Sequence, residues 1–263
     1  MRDPDFGELF RRYEGNPILT ADQWPYPIHA PFNPGATRLA DGTTLLLARV
    51  EDFRGLSHLC AVRSKDGRTG WQIDPKPTLQ ANPIDHPEEL WGLEDPRITY
   101  IPELDKYAVA YTAYSRGGPG VSLALTEDFV SFDRCGMIMA PEDKDAALFP
   151  RRIHGQWALI HRPIGWLGAH MWLSYSPDLH NWGDHKLMLE ARLGGWWDAN
   201  KIGLCPPPIE TPRGWLVIYH GVRQTAAGAI YRLGLALFEL ENPEICLSRG
   251  EGWVFAPEKP YEV

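Results

Sequence analysis

Residues 105–132, DKYAVAYTAYSRGGPGVSLALTEDFVSF, contain two apolar strands joined by a Gly- and Pro-rich turn and followed by a polar turn. This pattern occurs in four copies along the chain. A spacing of roughly fifty to sixty residues, with two strands in each copy, is typical of β-propeller blades. The first strands of the copies lie at 41–50, 105–114, 154–163 and 213–222, and the second strands, with the turns that follow them, at 59–72, 121–132, 171–182 and 231–243.

The turn after the second strand has its own signature, in which Ser or Thr is followed by Asp and then by an aromatic residue. A two-sheet sandwich is the alternative fold, but it does not predict a repeated strand pair that ends in the same turn. No segment has a sustained apolar period of 3.6 residues, so few helices are expected. The signature comprises Ser64, Asp66 and Trp71 in the first copy, Thr126, Asp128 and Phe132 in the second, and Ser176, Asp178 and Trp182 in the third, while the fourth has changed to Glu239, Glu241 and Pro243.

Composition narrows the classes of function. The 263 residues carry a formal net charge of -8, which argues against a nucleic-acid partner because such a partner needs a basic face. Hydrophobic residues make up 44% of the chain, which is enough for a single all-β domain over residues 1–263. The eleven Trp and ten Tyr could supply stacking platforms for a carbohydrate, although most of them are expected in the core.

The cysteines and histidines predict neither a disulfide frame nor a metal site. The four cysteines have no C-x-x-C spacing and are expected to be reduced, partly buried thiols. The nine His lack metal-binding spacing, so no metal is expected. No signal-peptide h-region or apolar run of membrane-spanning length is present, and the prediction is a cytoplasmic protein with no membrane partner. The cysteines are Cys60, Cys135, Cys205 and Cys246.

Polar residues recur at equivalent places in the copies, just before the first strand or at its end. Because the innermost strands of propeller blades line one central channel, these residues are expected to converge on a single funnel. They are Asn33, Arg49 and Glu51 in the first copy, Glu94, Asp95 and Arg97 in the second, Asp145, Arg151, His161 and Arg162 in the third, and Asp198, Lys201, Tyr219 and His220 in the fourth.

Two interpretations of these charges are open from the residues alone. The stretch WGLEDPRIT places Glu94, Asp95 and Arg97 at the start of a strand. They could form a salt bridge that braces the strand, or Asp95 could be a catalytic acid. The cations at inner positions could each pair with a local acid, as Arg49 with Glu51, or could together bind an anion such as phosphate.

A series of motifs runs in order from about residue 16 to about residue 261: FNPGATR, LLLARVED, GLEDPRIT, KDAALFPRR, HRP, SYSPDLHNWG, WWDANKIGLCPPPIETPRGWLVIYHGV, YRLGLALFEL and APEKPYE. With these motifs the chain resembles glycoside hydrolase family 130, and the mannooligosaccharide phosphorylase branch more than the mannosylglucose branch. Members of this family are five-bladed β-propellers and mostly phosphorylases of β-mannosides. The resemblance implies a β-mannoside phosphorylase that uses inorganic phosphate as co-substrate and needs no cofactor.

The resemblance also implies roles for individual residues. Asp95 takes the role of the general acid, whose proton passes through the 3-hydroxyl of the mannosyl unit to the glycosidic oxygen. Phosphate attacks C1 from the opposite face and α-mannose 1-phosphate is released with inversion. A phosphorylase needs a cationic seat for phosphate in place of the second carboxylate of an inverting glycosidase. The positions that match this seat are Arg49, Arg151, Lys201 and His220, and the positions in motifs that line the sugar site are Asn33, Asp145, Arg162 and Asp198.

Two alternatives to phosphorolysis of β-1,4-mannooligosaccharides stay open. An inverting β-mannosidase would use water and a base carboxylate, for which Glu51 and Asp198 are the candidates. A non-catalytic propeller would bind sugar or partners through its aromatic rim. Linkage and acceptor are expected to depend on the loops at 82–91 and 164–170.

The C-terminal end departs from the family pattern. Family members usually continue beyond the P-E-x-x-Y-E motif with strands that complete the last blade, whereas this sequence stops at Val263. The fifth blade is therefore expected to be incomplete, or to be closed by residues around 10–25 or by a neighbouring subunit. An open strand edge would favour pairing with another chain, so a homo-oligomer is a further expectation.

Overall fold

The computed structural model describes residues 9–165 and 168–262. Within them, antiparallel strands form four successive units of four main strands each, and the fold is all-β and propeller-like. The first unit contains β1 (Ala30–Arg38), β2 (Thr44–Glu51), β3 (Ser57–Ser64) and β4 (Gln72–Ile73), and the second contains β5 (Leu93–Ile101), β6 (Lys106–Ser115), β7 (Gly118–Thr126) and β8 (Asp133–Met139).

The third and fourth units are built in the same way but share one continuous sheet. The third contains β9 (Asp143–Leu148), β10 (Trp157–Gly165), β11 (Gly168–Ala169), β12 (Met171–Ser176) and β13 (Gly183–Leu189), and the fourth contains β14 (Lys201–Leu204), β15 (Ile209–Thr211), β16 (Gly214–Thr225), β17 (Gly228–Phe238) and β18 (Cys246–Arg249). The short strand β11 pairs in parallel with β14 and so joins the two units.

Helical structure in the described residues is limited to short 3-10 turns, as expected from the absence of a 3.6-residue period. No helix in this part of the chain is long and apolar enough to cross a membrane. The turns lie at Ala21–Gln23, Pro87–Glu89 and Pro260–Glu262.

The strand pair that repeats in the sequence is the middle pair of each unit. The predicted first strands correspond to β2, β6, β10 and β16, and the predicted second strands to β3, β7, β12 and β17. A further strand (β1, β5, β9 or β14) precedes each pair and is hydrogen-bonded to its first member. The repeat pattern did not include these preceding strands because charged residues, Pro and Gly interrupt their apolar sequence, as in APFNPGATR. The strand expected at Glu94, Asp95 and Arg97 is β5.

The signature turns are one structure repeated three times, which confirms the repeat. In the first turn, Asp66 Oδ1 accepts hydrogen bonds from the backbone N–H groups of Arg68 and Thr69, both at 2.8 Å. The turns at Asp128 and Asp178 contain the same pair of bonds. Because backbone N–H donors favour the ionised carboxylate, the pKa of each of the three Asp lies below its ordinary value.

Apolar cores lie between successive units. Leu159 and Ile160 of β10 point to opposite faces of the strand, and both are fully buried. Leu159 packs with Leu123 of the second unit, whereas Ile160 packs with Val217 of the fourth. A strand covered on both faces needs an unbroken apolar run, which is why the middle strands were visible in the sequence. This serial packing of units is propeller-like and differs from the two facing sheets of a sandwich.

The N-terminal and C-terminal segments of the described chain contact each other. The Arg12 guanidinium binds both carboxylate oxygens of Glu262, with Nε–Oε1 2.7 Å and Nη2–Oε2 2.9 Å. Trp24 of the N-terminal segment belongs to the core of the first unit, and Phe255 of the C-terminal segment bridges to Leu233 of the fourth. The described residues contain no fifth sheet, and these terminal segments link the first unit to the fourth.

The four cysteines are free thiols in the structure. Cys60 is buried and Cys135 and Cys205 are partly buried, whereas Cys246 is exposed, so the expected partial burial does not hold for Cys246. Burial raises the pKa of Cys135 to about 11 and that of Cys205 to about 12. These two thiols therefore stay protonated and unreactive at neutral pH.

Candidate active site

The first strand of each of the first three units contains a bulge at which one polar residue adopts a left-handed backbone. The residues are Asn33, Asp95 and Asp145, with φ of 44°, 48° and 56°. Asn and Asp tolerate this region better than other side chains because their short polar groups can bond locally. A bulge redirects a side chain from its strand, and all three of these side chains line one cleft. The strand registers shift at Phe32/Gly35, Glu94/Arg97 and Ile160/Arg162.

The cleft has a volume of about 760 Å³ and receives residues from all four units. Tyr231 is the aromatic ring that lines it within the described residues. The acidic and basic residues of the wall are Asp95, Arg97, Lys144, Asp145, Arg162, Lys201 and His220.

Asp95 is held through one of its two carboxylate oxygens. Its Oδ1 accepts hydrogen bonds from Asn33 Nδ2 and from Arg49 Nη1, both at 3.0 Å. The neighbouring Glu94 binds Arg49 Nη2 through Oε1 and Lys144 Nζ through Oε2, again both at 3.0 Å. Since the two described donors use Oδ1, a proton on Asp95 would be carried by Oδ2.

The ion pairs of the cleft join neighbouring units rather than residues of one strand. The Arg49–Asp95 pair connects the first unit to the second, and Arg97 Nη2 reaches Asp145 Oδ1 of the third unit at 3.0 Å. Arg97 contacts Asp95 only at its main-chain oxygen, at 3.2 Å. The local salt bridge between Arg97 and Glu94 or Asp95, considered from the sequence, is therefore not formed. The charges hold the units together around the cleft.

Asp145 is the most enclosed carboxylate of the cleft, at 6% exposed. Its Oδ2 lies 2.8 Å from Arg162 Nη2 and 3.5 Å from His220 Nε2. Burial by itself raises the pKa of this carboxyl, but the surrounding positive charges, Arg97 foremost, outweigh it and hold the pKa well below its ordinary value. Asp145 therefore stays ionised and is unsuited to act as an acid. Any side chain at position 203 would overlap Asp145 Oδ2 and the His220 imidazole, so this position needs Gly203.

Positive charge exceeds negative charge in and directly behind the cleft. The five cations are Arg49, Arg97, Lys144, Arg162 and Lys201, and the three carboxylates are Glu94, Asp95 and Asp145, which leaves an excess of two positive charges. Arg162 carries this excess most directly. It is 4% exposed, yet its Nε and Nη1 have no hydrogen-bond partner in the described part of the chain. Buried N–H groups of a cation are costly to leave unpaired, so this corner of the cleft suits an anion.

His220 is a neutral imidazole in the cleft rather than the cation expected from the sequence. Burial lowers its pKa from 6.5 to about 4. The adjacent Asp145 opposes this shift, while the arginines and lysine of the cleft add to it. At neutral pH the ring is uncharged and retains one N–H that can donate to an anion.

Arg151, which matches the phosphate seat by motif, lies outside the cleft. Its guanidinium pairs with Glu210 and Glu241, both at 3.0 Å, and its side chain is 35% exposed. Arg151 follows the end of β9 remote from the bulge at Asp145. Arg162, eleven positions further along the chain, is the arginine of this unit that lines the cleft.

Neither of the two carboxylates suggested as a base for water lines the cleft. Asp198 is fully buried, and its Oδ2 accepts hydrogen bonds from Tyr219 Oη at 3.0 Å and from Arg249 Nη2 at 2.7 Å. Glu51 pairs with His29 at 3.0 Å. Asp198 was predicted to line the sugar site, but its carboxylate instead forms a buried ion pair with Arg249 of the fourth unit.

Lys144 is a cleft residue that the sequence pattern did not identify. It directly precedes Asp145, and consecutive residues of a regular strand point to opposite faces. Both line the cleft here because the bulge at Asp145 breaks the alternation. The one available signal was the run of three charged residues, Asp143 to Asp145, at the start of a strand whose remaining residues are apolar.

Of the two loops expected to determine the linkage, the structure describes the first completely and the second in part. Loop 82–91 is anchored by the buried Glu89, whose Oε1 accepts a hydrogen bond from the Tyr111 hydroxyl at 2.7 Å. In loop 164–170, residues 166–167 lie outside the described residues.

The fold and the cleft define a β-propeller-like protein in which residues from all four units line one charged cleft. The model of glycoside hydrolase family 130, described as β-1,4-mannooligosaccharide phosphorylase, matches residues 23–263. The chain belongs to this family.

Similar proteins include mannoside phosphorylases of two linkages. The β-1,2-mannobiose phosphorylase of Listeria innocua is 37% identical over 222 residues, which cover 82% of this chain and 59% of that protein. The β-1,4-mannooligosaccharide phosphorylase of Ruminococcus albus is 31% identical over 268 residues, which cover 98% of this chain and 78% of that protein. The structure of the Listeria innocua β-1,2-mannobiose phosphorylase with β-1,2-mannobiose superposes with a TM-score of 0.83 at 31% identity, over 95% of this chain and 85% of that one. The chain thus spans less than two thirds of the length of the first of these relatives.

Proposed function

We propose that the chain is an inverting phosphorylase of β-mannosides that releases α-mannose 1-phosphate. The observation that carries the proposal is Arg162, a buried guanidinium with two unpaired nitrogens in a cleft with excess positive charge. Excess positive charge suits the phosphate dianion, and guanidinium N–H groups match phosphate oxygens in geometry. The names of the similar proteins support the same class of reaction.

Asp95 is proposed as the general acid. Its Oδ2 donates a proton, by way of the 3-hydroxyl of the mannosyl unit, to the glycosidic oxygen as the bond from C1 to that oxygen breaks. A phosphate oxygen forms the new bond to C1 from the opposite face, which inverts the anomer. Asn33 and Arg49, which bind Oδ1, stabilise the carboxylate that remains.

The phosphate seat is proposed to consist of Arg162, Lys201 and His220, which share the cleft with Asp95. Arg162 takes the role that motif resemblance suggests for Arg151. Arg49 directs its Nε, Nη1 and Nη2 to Ser57, Asp95 and Glu94, so its main contribution is to orient the acid, with two further N–H groups available to phosphate.

Hydrolysis has less support than phosphorolysis. An inverting hydrolase needs a second carboxylate to activate water. Glu51 and Asp198 are outside the cleft, and Asp145 is engaged by two arginines. The cleft offers cations in place of a second free carboxylate, and this favours an anionic nucleophile over water.

The linkage is proposed to be β-1,4. The family description and the Ruminococcus albus relative support it, whereas the Listeria innocua relative is named for the β-1,2 linkage. Both linkages therefore belong in the first experiment.

The test is product analysis with β-1,4-mannobiose and β-1,2-mannobiose, each with and without inorganic phosphate. Formation of α-mannose 1-phosphate only in the presence of phosphate, followed by ³¹P NMR, is the expected result. Free mannose as the sole product, at a rate independent of phosphate, would overturn the proposal in favour of a hydrolase. Faster turnover of the β-1,2 disaccharide would reassign the linkage without changing the reaction.

The five-bladed ring and the homo-oligomer stay predictions. We propose that the terminal segments joined by Arg12 and Glu262 occupy the place of the fifth blade. An experimental structure of the assembled protein tests both, since a fifth sheet contributed by a second copy would contradict closure by the chain's own termini.

A further inference from the structure

A buried pair in the third unit, Asp143 and His161, has no part in the proposed reaction. Asp143 Oδ2 and His161 Nδ1 are 2.5 Å apart, and the two residues are 3% and 4% exposed. His161 Nε2 lies 2.7 Å from Ser174 Oγ, which lies 2.6 Å from Nδ1 of His185. Because an ionised carboxylate only accepts hydrogen bonds, Nδ1 of His161 carries the proton of the first bond. The imidazole is therefore fixed from both sides.

This pair stands at the bulge that supplies the cleft from the third unit. Asp145 and Ala146 both lie opposite His161, since they have no partners of their own in the ladder of β9 and β10. Asp143 Oδ1 accepts the main-chain N–H of Arg162 at 3.1 Å. One carboxylate thus holds the imidazole opposite the bulge and the backbone of the cleft arginine. The flanking ladder pairs are Ile160 with Ala147 and Arg162 with Lys144.

The equivalent bulges of the first two units are built differently. There the left-handed residue is followed by Pro34 or Pro96. Proline fixes its own φ and has no N–H that a bulge could leave unpaired. In the third unit the corresponding residue is Ala146, and a clamp is present instead, formed by Asp143 of the bulged strand β9 and His161 of the facing strand β10.

We propose that Asp143 and His161 are positioning residues that hold the third bulge, so that Arg162 and Asp145 enter the cleft with the geometry that phosphate requires. The inference rests on the proposed function, because it takes Arg162 as part of the phosphate seat. It also proposes that the clamp fixes the backbone of the third bulge, as proline fixes the backbone of the first two bulges.

The experiment compares His161→Leu, which removes the clamp, with Ser176→Ala as a matched control. Ser176 is a fully buried residue of the same strand as Ser174, but its hydroxyl serves the signature turn at Asp178. His161→Leu is expected to raise the KM for phosphate by about tenfold to a hundredfold, the loss that a misplacement of about 1 Å causes. The KM for mannobiose should change less than about twofold, and Ser176→Ala should change neither.

A rescue variant separates positioning from a general loss of stability. Adding Ala146→Pro to His161→Leu supplies the device of the other two bulges and should restore at least about a third of the lost phosphate affinity. Should His161→Leu not fold, Asp143→Asn, which keeps the size of the side chain, replaces it with the same expectations. An unchanged KM for phosphate in a folded clamp variant would overturn the proposal.

Hydrogen exchange of the Arg162 amide in the full chain gives a readout that does not depend on activity. Faster exchange in His161→Leu than in Ser176→Ala is expected, because Asp143 then loses the orientation in which it accepts this N–H. Equal exchange would refute the clamp even if the wild type proved to be a hydrolase. Failure of the wild type to use phosphate would instead refute the proposed function.

Discussion

Replacement of Arg162 by lysine tests the assignment of the phosphate seat most directly. Lysine keeps the positive charge next to Asp145, which Arg162 Nη2 approaches to 2.8 Å, but removes the Nε and Nη1 donors that lack a partner in the described chain. A hydrogen bond to a charged group contributes roughly 1.5–3 kcal/mol. Loss of two such bonds, offset in part by water, should weaken phosphate binding by about 3 kcal/mol, or about a hundredfold.

The assay measures initial rates against phosphate concentration at saturating mannobiose, with calorimetric titration of phosphate as an independent readout. Arg162→Lys should raise the KM for phosphate about a hundredfold and leave the KM for mannobiose within about threefold. Arg151→Lys is the matched control, because Arg151 also matches a family motif but pairs with Glu210 and Glu241 outside the cleft. It should change either constant by less than about twofold.

Two results would refute this reasoning in different ways. A large rise in the KM for phosphate in Arg151→Lys, with Arg162→Lys unaffected, would mean that lining the cleft does not determine which arginine binds phosphate. A rise in the KM for mannobiose alone in Arg162→Lys would return this residue to the sugar site, the role that motif resemblance implies for it.

Two further predictions concern Asp95 and His220. Asp95→Asn keeps an acceptor for Arg49 but has no acidic proton, so the turnover of mannobiose should fall by about 10²–10⁴-fold. The turnover of an aryl mannoside with a good leaving group should fall far less, because this leaving group needs little protonation. Equal losses of turnover on both substrates would argue against a general acid. Because the pKa of His220 is lowered from 6.5 to about 4, the unfolded chain binds a proton between these pH values that the folded protein does not, and stability present above pH 6.5 is lost as the pH falls toward 4. His220→Asn should therefore flatten this part of the stability curve in urea unfolding, and an unchanged slope between pH 6.5 and pH 4 would contradict the burial argument.

The middle strand pairs, the signature turns and the E-D-P-R motif that contains Asp95 were accessible from the sequence. Strands such as β10 are covered on both faces, so their apolar runs stand out in one dimension, as Leu159 and Ile160 illustrate. The turn at Asp66 depends on backbone bonds two and three residues away and repeats as a local pattern. The E-D-P-R stretch identified Asp95 through resemblance, and the structure places it in the cleft.

Only the tertiary structure decided which charged residues contact each other and in which protonation state. Arg151 and Arg162 are both arginines and are close in sequence, and only their different positions in the third unit put Arg151 outside the cleft and Arg162 in it. Lys144 joins the cleft through a bulge that strand alternation does not predict.

The sequence by itself determined an all-β repeat protein and the polar residues from which its site is assembled, because two-sided burial and turn hydrogen bonds act within a few residues of the chain. The tertiary structure decided the partners of those residues. Arg49 binds Asp95, and Arg97 binds Asp145, across the boundaries between units. His220 is neutral because burial in the packed protein lowers its pKa. Contacts and desolvation of this kind depend on distances in space between residues far apart in the chain, which no local pattern encodes.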